Sequence, residues 1–379
     1  MHILIAPNAF KHSLSAPEAA AAIEEGLIKS RLSCTCECFP VGDGGDGTGQ
    51  LLAAKLDAMP VKVQVKDPLG NDIESHFSWL EGQQTAIIEM ADASGIRLLA
   101  KNQLHPMKAS SYGTGQLMKA ALDRNAKHII LAIGGSATVD GACGILSALG
   151  VQFLGEDGRE FKPVPAEILQ LNQISISTLD PRLSGTAISV LCDVDNYLLG
   201  DSGAARVFGP QKGANVEEVG LLESALQRLA DVVQKQTGKD MQSYIHGGAA
   251  GGVAAGLAAV LDARLVNGID FFLKETGFDT AVVKADLVIT GEGSVDAQTL
   301  QGKAPFGVAL SAHAKSKPVI ALSGRLDIEP APELYKYFDV LLPLSNAPSD
   351  LDQALKFCRQ NLVRTAKEIG NMLHLAGKG

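Results

Sequence analysis

Asp286-Leu287-Val288-Ile289-Thr290 runs directly into Gly291-Glu292-Gly293-Ser294-Val295-Asp296. A short Leu, Val and Ile run reads as a strand buried on both faces, and the polar glycine segment as the loop at its carboxyl end. The helix-like stretch Ala304–Lys315 follows. The same succession opens the chain: strand-like His2–Ala6, then Pro7-Asn8-Ala9-Phe10-Lys11-His12-Ser13, then helix-like Pro17–Lys29. Further strands are predicted at Glu37–Val41, Pro318–Ser323 and Asp339–Pro343, and helices at Ala331–Tyr337 and Leu351–Leu373. This alternation predicts a parallel sheet wrapped by helices. Five such strands predict a flavodoxin-like doubly wound α/β layer built from both ends of the chain.

The middle of the chain has another rhythm. Val61–Val65, Ile73–Leu80 and Thr85–Glu89 are three closely spaced strands, with the turn signal Asp67-Pro68-Leu69-Gly70-Asn71-Asp72 between the first two. That is a meander. Helical stretches and the strands His128–Ile133 and Ala187–Leu191 come after it. The expected organisation is a flavodoxin-like domain of residues 1–45 and 285–379, with a second α/β domain of residues 46–284 inserted in it and the active site in the cleft between them.

Composition limits the partners. The formal net charge of −9 disfavours nucleic acid and anionic membranes, which call for a basic surface. No leader pattern precedes His2–Ile5, and no apolar stretch is long enough to span a bilayer. A cytoplasmic protein is expected. Cys34, Cys36 and Cys38 alternate along one strand face, with no CxxC spacing and no His partner, so the six cysteines read as reduced thiols. Nothing in the pattern decides between a monomer and a homo-oligomer.

Ligands of open parallel sheets bind beyond the carboxyl ends of the strands. The segments expected there gather Lys11, Asp43, Glu292, Asp296, Gly291 and Gly293, together with Gly42-Asp43-Gly44-Gly45-Asp46-Gly47-Thr48. Gly42, Gly44 and Gly47 match G-x-G-x-x-G, with Asp67 about 20 residues on. That supports a nicotinamide dehydrogenase as a rival reading. Asp43 and Asp46 speak against it: they place negative charge where a pyrophosphate would sit, and suit Mg²⁺ better. Gly134-Gly135-Ser136 after His128–Ile133 looks like a phosphate cradle of free N–H groups. Ser110, Tyr112 and Thr114 open a helix with three nearby hydroxyls. Asp193 follows Ala187–Leu191 and could ligate Mg²⁺ or accept a proton. Lys11, Lys212 and Lys303 sit among glycines and could neutralise phosphate. There is no P-loop signature, zinc pattern or G-x-S-x-G elbow.

These segments, in this order, resemble the bacterial glycerate kinase family, the type that forms 2-phosphoglycerate. The likeness rests on Ile5-Ala6-Pro7-Asn8-Ala9-Phe10-Lys11, Asp43-Gly44-Gly45-Asp46-Gly47-Thr48, Tyr112-Gly113-Thr114-Gly115, Gly134-Gly135-Ser136-Ala137-Thr138, Cys192-Asp193-Val194, Phe208 to Ala214, and Thr290 to Pro305. It implies ATP with Mg²⁺ and D-glycerate as substrates. Asp193, Lys11 and Asp296 are then the catalytic candidates, and Asp193 and Glu292 the metal ligands. Ser13, Asp43, Gly44, Gly45, Asp46, Ser110, Tyr112, Thr114, Gly134, Gly135, Ser136, Lys212, Gly291, Gly293 and Lys303 are the binding candidates. The family usually has Asp-Ser where this chain has Asn8-Ala9, and Gly where it has His12. Asn cannot act as a base, so the base is sought elsewhere, at Asp193 first. A non-catalytic sensor of a small acid is the third reading.

Overall fold

The computed structural model describes residues 1–348 and 350–377. In chain order the strands are β1 (His2–Ile5), β2 (Thr35–Cys38), β3 (Met59–Lys66), β4 (Asp72–Leu80), β5 (Thr85–Glu89), β6 (His128–Ala132), β7 (Gln152–Leu154), β8 (Gln173–Ser175), β9 (Ala187–Cys192), β10 (Arg264–Asn267), β11 (Leu287–Val295), β12 (Val319–Leu326) and β13 (Val340–Pro343). The chain divides into two units: Met1–Asp43 with the stretch from Ile269 onward, and Gly44–Gly268.

The first unit holds a sheet of order β13-β12-β11-β1-β2. Every pairing in it is parallel. Numbered within the unit, the order is 2-1-3-4-5, the flavodoxin-like doubly wound arrangement, whose switch point lies between β1 and β11. Ile3, Leu4, Ile5, Val288 and Ile289 are fully buried, which is why these strands read as unbroken apolar runs. One face is covered by the helices Ala16–Ile28 and Cys358–Ala376, through Ile23, Leu27, Leu362 and Ile369. The first of them starts at a capping box: the Ser15 hydroxyl accepts from the Glu18 N–H, and the Glu18 carboxylate accepts from the Ser15 N–H.

Some elements differ from expectation. β2 ends at Cys38, but the pairing continues as Phe39 N–H donates to Ile5 O (2.7 Å) and Val41 N–H to Pro7 O (3.1 Å). Pro40 lies between these two donors, so its nitrogen faces away from β1 and the ladder passes it. The expected helix at Ala331–Tyr337 is a short 3₁₀ helix, Pro332–Lys336. The C-terminal stretch is two helices, Leu351–Lys356 and Cys358–Ala376, parted at Phe357. The chain re-enters the first unit at Ile269 rather than at residue 285. Packing accounts for this: a Cβ on Gly307 would lie 2.5 Å from Ile269 Cγ1, and Phe278 meets Phe39 edge to face at 5.0 Å.

The second unit has a sheet of order β10-β9-β6-β5-β4-β3 and the small pair β7-β8. β3, β4 and β5 form the antiparallel meander, while β5, β6, β9 and β10 pair in parallel. The turn after β3 is held by Asp67, whose carboxylate accepts from the Leu69 and Asn71 N–H groups and the Asn71 amide. Gly70 supplies the left-handed φ of 91°. Phe77, Leu117, Leu131, Val190, Leu226 and Leu229 fill the core.

Two glycines test the packing. A Cβ on Gly26 would collide with Val363 O and lie 2.7 Å from Ala366 Cβ, whereas Gly220, in the helix Val216–Thr237, has open space around it. Gly26→Ala is expected to destabilise by about 1–3 kcal/mol, and Gly220→Ala to stabilise by about 0.5–1 kcal/mol. Denaturant midpoints moving in opposite directions are the check.

Candidate active site

In the first unit the polar groups meet at the switch point. β11 does not stop at Thr290 as expected. It continues to Val295, with Glu292 opposite Ser323, so Gly291, Glu292 and Gly293 belong to a strand and not to a free loop. Glycine is needed at 291 because any Cβ there would collide with the Leu322 carbonyl of β12. A Cβ on Gly293 would come no nearer than 3.6 Å to Lys11 N, so that position lies beside the Lys11 segment without crowding.

Glu292 is 8% exposed, and its Oε1 accepts from the Thr299 hydroxyl at 3.0 Å. Burial pushes its carboxyl up to about 7; the Lys303 ammonium opposes this, Asp43 adds to it and Lys11 opposes it. Asp43 is equally buried, and its Oδ2 accepts from the Asn8 amide (2.9 Å) and the Ala304 N–H (3.4 Å). Lys303 caps the helix Ala304–His313. Lys11, Asp43, Glu292 and Lys303 thus surround one point at the carboxyl edge of the sheet. Asn8 does here what an aspartate could not: it donates to a buried carboxylate instead of repelling it. His12 holds a left-handed φ of 66°, a conformation easier for glycine.

Two expected members do other work. The Ser13 hydroxyl donates to Leu355 O at 2.6 Å, tying the loop to the C-terminal helices. Asp296 caps the 3₁₀ helix Ala297–Gln301: Oδ1 accepts from Gln298 N–H at 2.9 Å and Oδ2 from the Ser294 hydroxyl at 3.3 Å. Its own N–H donates to Thr299 Oγ1, which places the hydroxyl that reaches Glu292. Thr299 carried no signal of this in the sequence.

In the second unit two glycine loops interlock. Gly44 has φ 98°, and a Cβ there would press on the Leu191–Cys192 backbone at 3.0 Å. Its carbonyl accepts from Gly134 N–H at 3.0 Å, and a Cβ on Gly134 would collide with the Gly45–Asp46 backbone. The Gly134 N–H is therefore spent within the protein and not free to cradle phosphate, which corrects the sequence reading. Gly135 (φ 69°) lies beside Asp46, whose carboxylate pairs with Arg97 at 2.7 Å. No helix starts straight after Ser136; the next is Cys143–Ala148.

The dinucleotide fingerprint is likewise taken up internally. Glu89, 3% exposed, accepts from the N–H groups of Gly47 (3.1 Å) and Gly49 (2.6 Å) at the start of the helix Thr48–Lys55. Burial pushes its carboxyl up to about 8, against those two bonds. With Asp67 held in its turn, neither a pyrophosphate site nor a ribose partner remains. Glu89 gave no signal beyond being the last residue of a predicted strand.

Lys212 is 3% exposed and donates to Ser136 Oγ (2.8 Å) and Thr138 O (2.6 Å). Burial lowers its ammonium to about 7, and Asp140 opposes that shift. Asp140 is fully buried; Oδ2 accepts from the Ser111 N–H and hydroxyl, both at 2.8 Å, and from Gly144 N–H at 3.2 Å. The buried Thr138 hydroxyl has no hydrogen-bond partner among the described residues. Thr114 is buried against Ser94 at 2.7 Å, while Ser110 and Tyr112 line a cavity of about 520 Å³. Asp193, half-buried, follows β9 at the same sheet edge. Burial, aided by the charges of Asp193 and Asp195, pushes the Cys192 thiol up. The six cysteines are free, and among the described residues no group of three or more His, Cys, Asp or Glu side chains could hold a metal.

Lys212 sets a pH test. Its ordinary value is 10.5 and its folded value about 7, so between them the unfolded chain binds more protons. Its share of stability is complete above the ordinary value and is lost as pH falls through about 7. The unfolding free energy of the parent, minus that of Lys212→Met, should grow from about pH 7 to about pH 9. A flat difference would mean that the ammonium stays charged.

Comparison with known proteins agrees with this architecture. The glycerate kinase family matches residues 3–374. A glycerate kinase of Bacillus subtilis (strain 168) is 39% identical over 376 residues, covering 99% of this chain and 98% of that protein. Glycerate 2-kinase of Escherichia coli (strain K12) is 38% identical over 373 residues, 98% of each. A crystal structure from Salmonella typhimurium LT2, provisionally titled glycerate kinase 2, superposes with a TM-score of 0.82 at 38% identity over 100% of both chains. The chain belongs to the glycerate kinase family.

Proposed function

We propose that this protein transfers the γ-phosphoryl group of ATP to D-glycerate, giving ADP and 2-phosphoglycerate. The observation that carries the reading is the likeness to glycerate 2-kinase along 98% of the chain. The paired cations Lys11 and Lys303 around buried Glu292 support it. The dehydrogenase reading loses its basis with Asp67 and the Gly47 and Gly49 N–H groups already engaged. With no helix among the described residues long and apolar enough to cross a membrane, and ATP as co-substrate, the proposed location is the cytoplasm.

Phosphoryl transfer needs positioning and charge neutralisation more than covalent chemistry. The acceptor hydroxyl oxygen bonds to the γ-phosphorus, the bond to the β-phosphate oxygen breaks, and ADP leaves. Lys11 and Lys303 offset phosphate or carboxylate charge. Asp193 accepts the hydroxyl proton; Asp296, engaged in capping, stands second. Glu292 and Asp193 are the proposed Mg²⁺ ligands. The fit is chemical: a buried carboxyl raised to about 7 favours proton or cation, and the one hydrogen bond that Oε1 takes from Thr299 leaves acceptor capacity for a cation. Mg²⁺ carried on ATP needs only one or two protein carboxylates, which suits a chain with no cluster of three or more such ligands among the described residues. When bound, Mg²⁺ would screen the phosphate oxygens.

ADP release should require glycerate together with Mg²⁺, stop with EDTA and return when Mg²⁺ is restored. A sensor would bind glycerate without ADP release. In proton-coupled ³¹P spectra the product should be a doublet, from the single hydrogen on the phosphorylated carbon; a triplet would mean transfer to the terminal hydroxyl. Asp193→Asn should lower kcat by about 100-fold or more while the fold is kept. A kcat near the parent value would remove Asp193 as the base.

A further inference from the structure

The second unit contains a cavity of about 520 Å³ that the proposed chemistry does not itself require. Its lining includes Tyr112, Phe161, Ser110, Lys66, Lys162 and Glu160. Its position is set by the helix Tyr112–Asp123, which leads into β6 and so begins at the carboxyl edge of the sheet. Ser110 lies against Gly144, and the next residue, Ser111, is held by Asp140 close to Lys212 and Ser136. The cavity therefore adjoins the polar cluster rather than standing apart from it.

Size and chemistry narrow the occupant. A three-carbon acid would leave most of this volume empty, while a nucleoside-sized ligand suits it. Tyr112, 37% exposed, and Phe161 are the two aromatic residues of the lining. Lys66 is paired with Asp72 at 2.7 Å, but Lys162 has no ion pair among the described residues. Asp67, also in the lining, is consumed by its turn. An aromatic face beside an unpaired ammonium matches a base carrying phosphate.

We infer that this cavity receives the adenosine part of ATP, with Tyr112 stacking on the base and Lys162 meeting the phosphate end. The inference rests on the kinase reading, and it assigns adenine recognition to the second unit.

The test uses the full chain and the variants Tyr112→Ala and Lys162→Ala, both at exposed positions. Isothermal titration with ADP is independent of turnover, and each variant should bind about tenfold more weakly. In the ADP-release assay the KM for ATP should rise by a similar factor, with the KM for glycerate within about twofold. Equal ADP affinity in parent and variants, or no ADP binding by the parent, would overturn the inference. So would weaker ADP binding with an unchanged KM for ATP, since the cavity would then hold a nucleotide other than the substrate. Loss of the kinase reading would appear separately, as a parent that binds ADP but never releases it from ATP with glycerate.

Discussion

The parallel pairing of β1 with β11 is the constraint from which the first unit follows. It joins the start of the chain to a segment beyond the entire second unit, and the buried Thr290 hydroxyl donating to Ala6 O, across a separation of 284 residues, fastens it. Loop-closure cost rises only logarithmically with length, so a folded insertion of this size is tolerable. Without that pairing the Lys11 segment and Glu292 would not share a sheet edge, and there would be no switch point to occupy.

The second unit relies on backbone contact instead. Gly44, Gly134 and Gly251 stand where another chain segment leaves no room for a side chain; a Cβ on Gly251 would collide with the Thr138 carbonyl. These close approaches bring Ser136, Thr138 and Asp140 within reach of Lys212. Many of the glycines that look like ligand cradles are therefore hinge pins for protein against protein.

Much of this was legible in the sequence. Apolar runs marked β1, β11, β12 and β13, and the Asp67–Asp72 turn marked the meander, because burial and turn chemistry write themselves into local composition. Lys11, Asp43, Glu292 and Lys303 could be grouped because parallel strands deliver their following residues to one edge. Glu89, Asp140 and Thr299 were not legible. Their importance lies in which N–H or hydroxyl they meet, and those partners are set by packing between distant segments. For the same reason Asp296 and Ser13 looked like ligand residues: an acid that caps a turn and an acid that binds substrate have the same local spelling. β11 ran past its glycines because β12 ran equally far beside it, a fact about two strands that neither reveals alone.

Proline placement has one more consequence. Pro40 follows edge strand β2, Pro343 closes edge strand β13, and Pro60 lies within edge strand β3, with Lys62 and Lys66 further along it. The other edge of the six-stranded sheet, β10, is only four residues long and begins with Arg264. A foreign strand seeking a continuous row of N–H donors meets a missing one or a cationic side chain at these borders. The two large sheets are thereby finished rather than merely stopped, the arrangement that discourages edge-to-edge growth between chains.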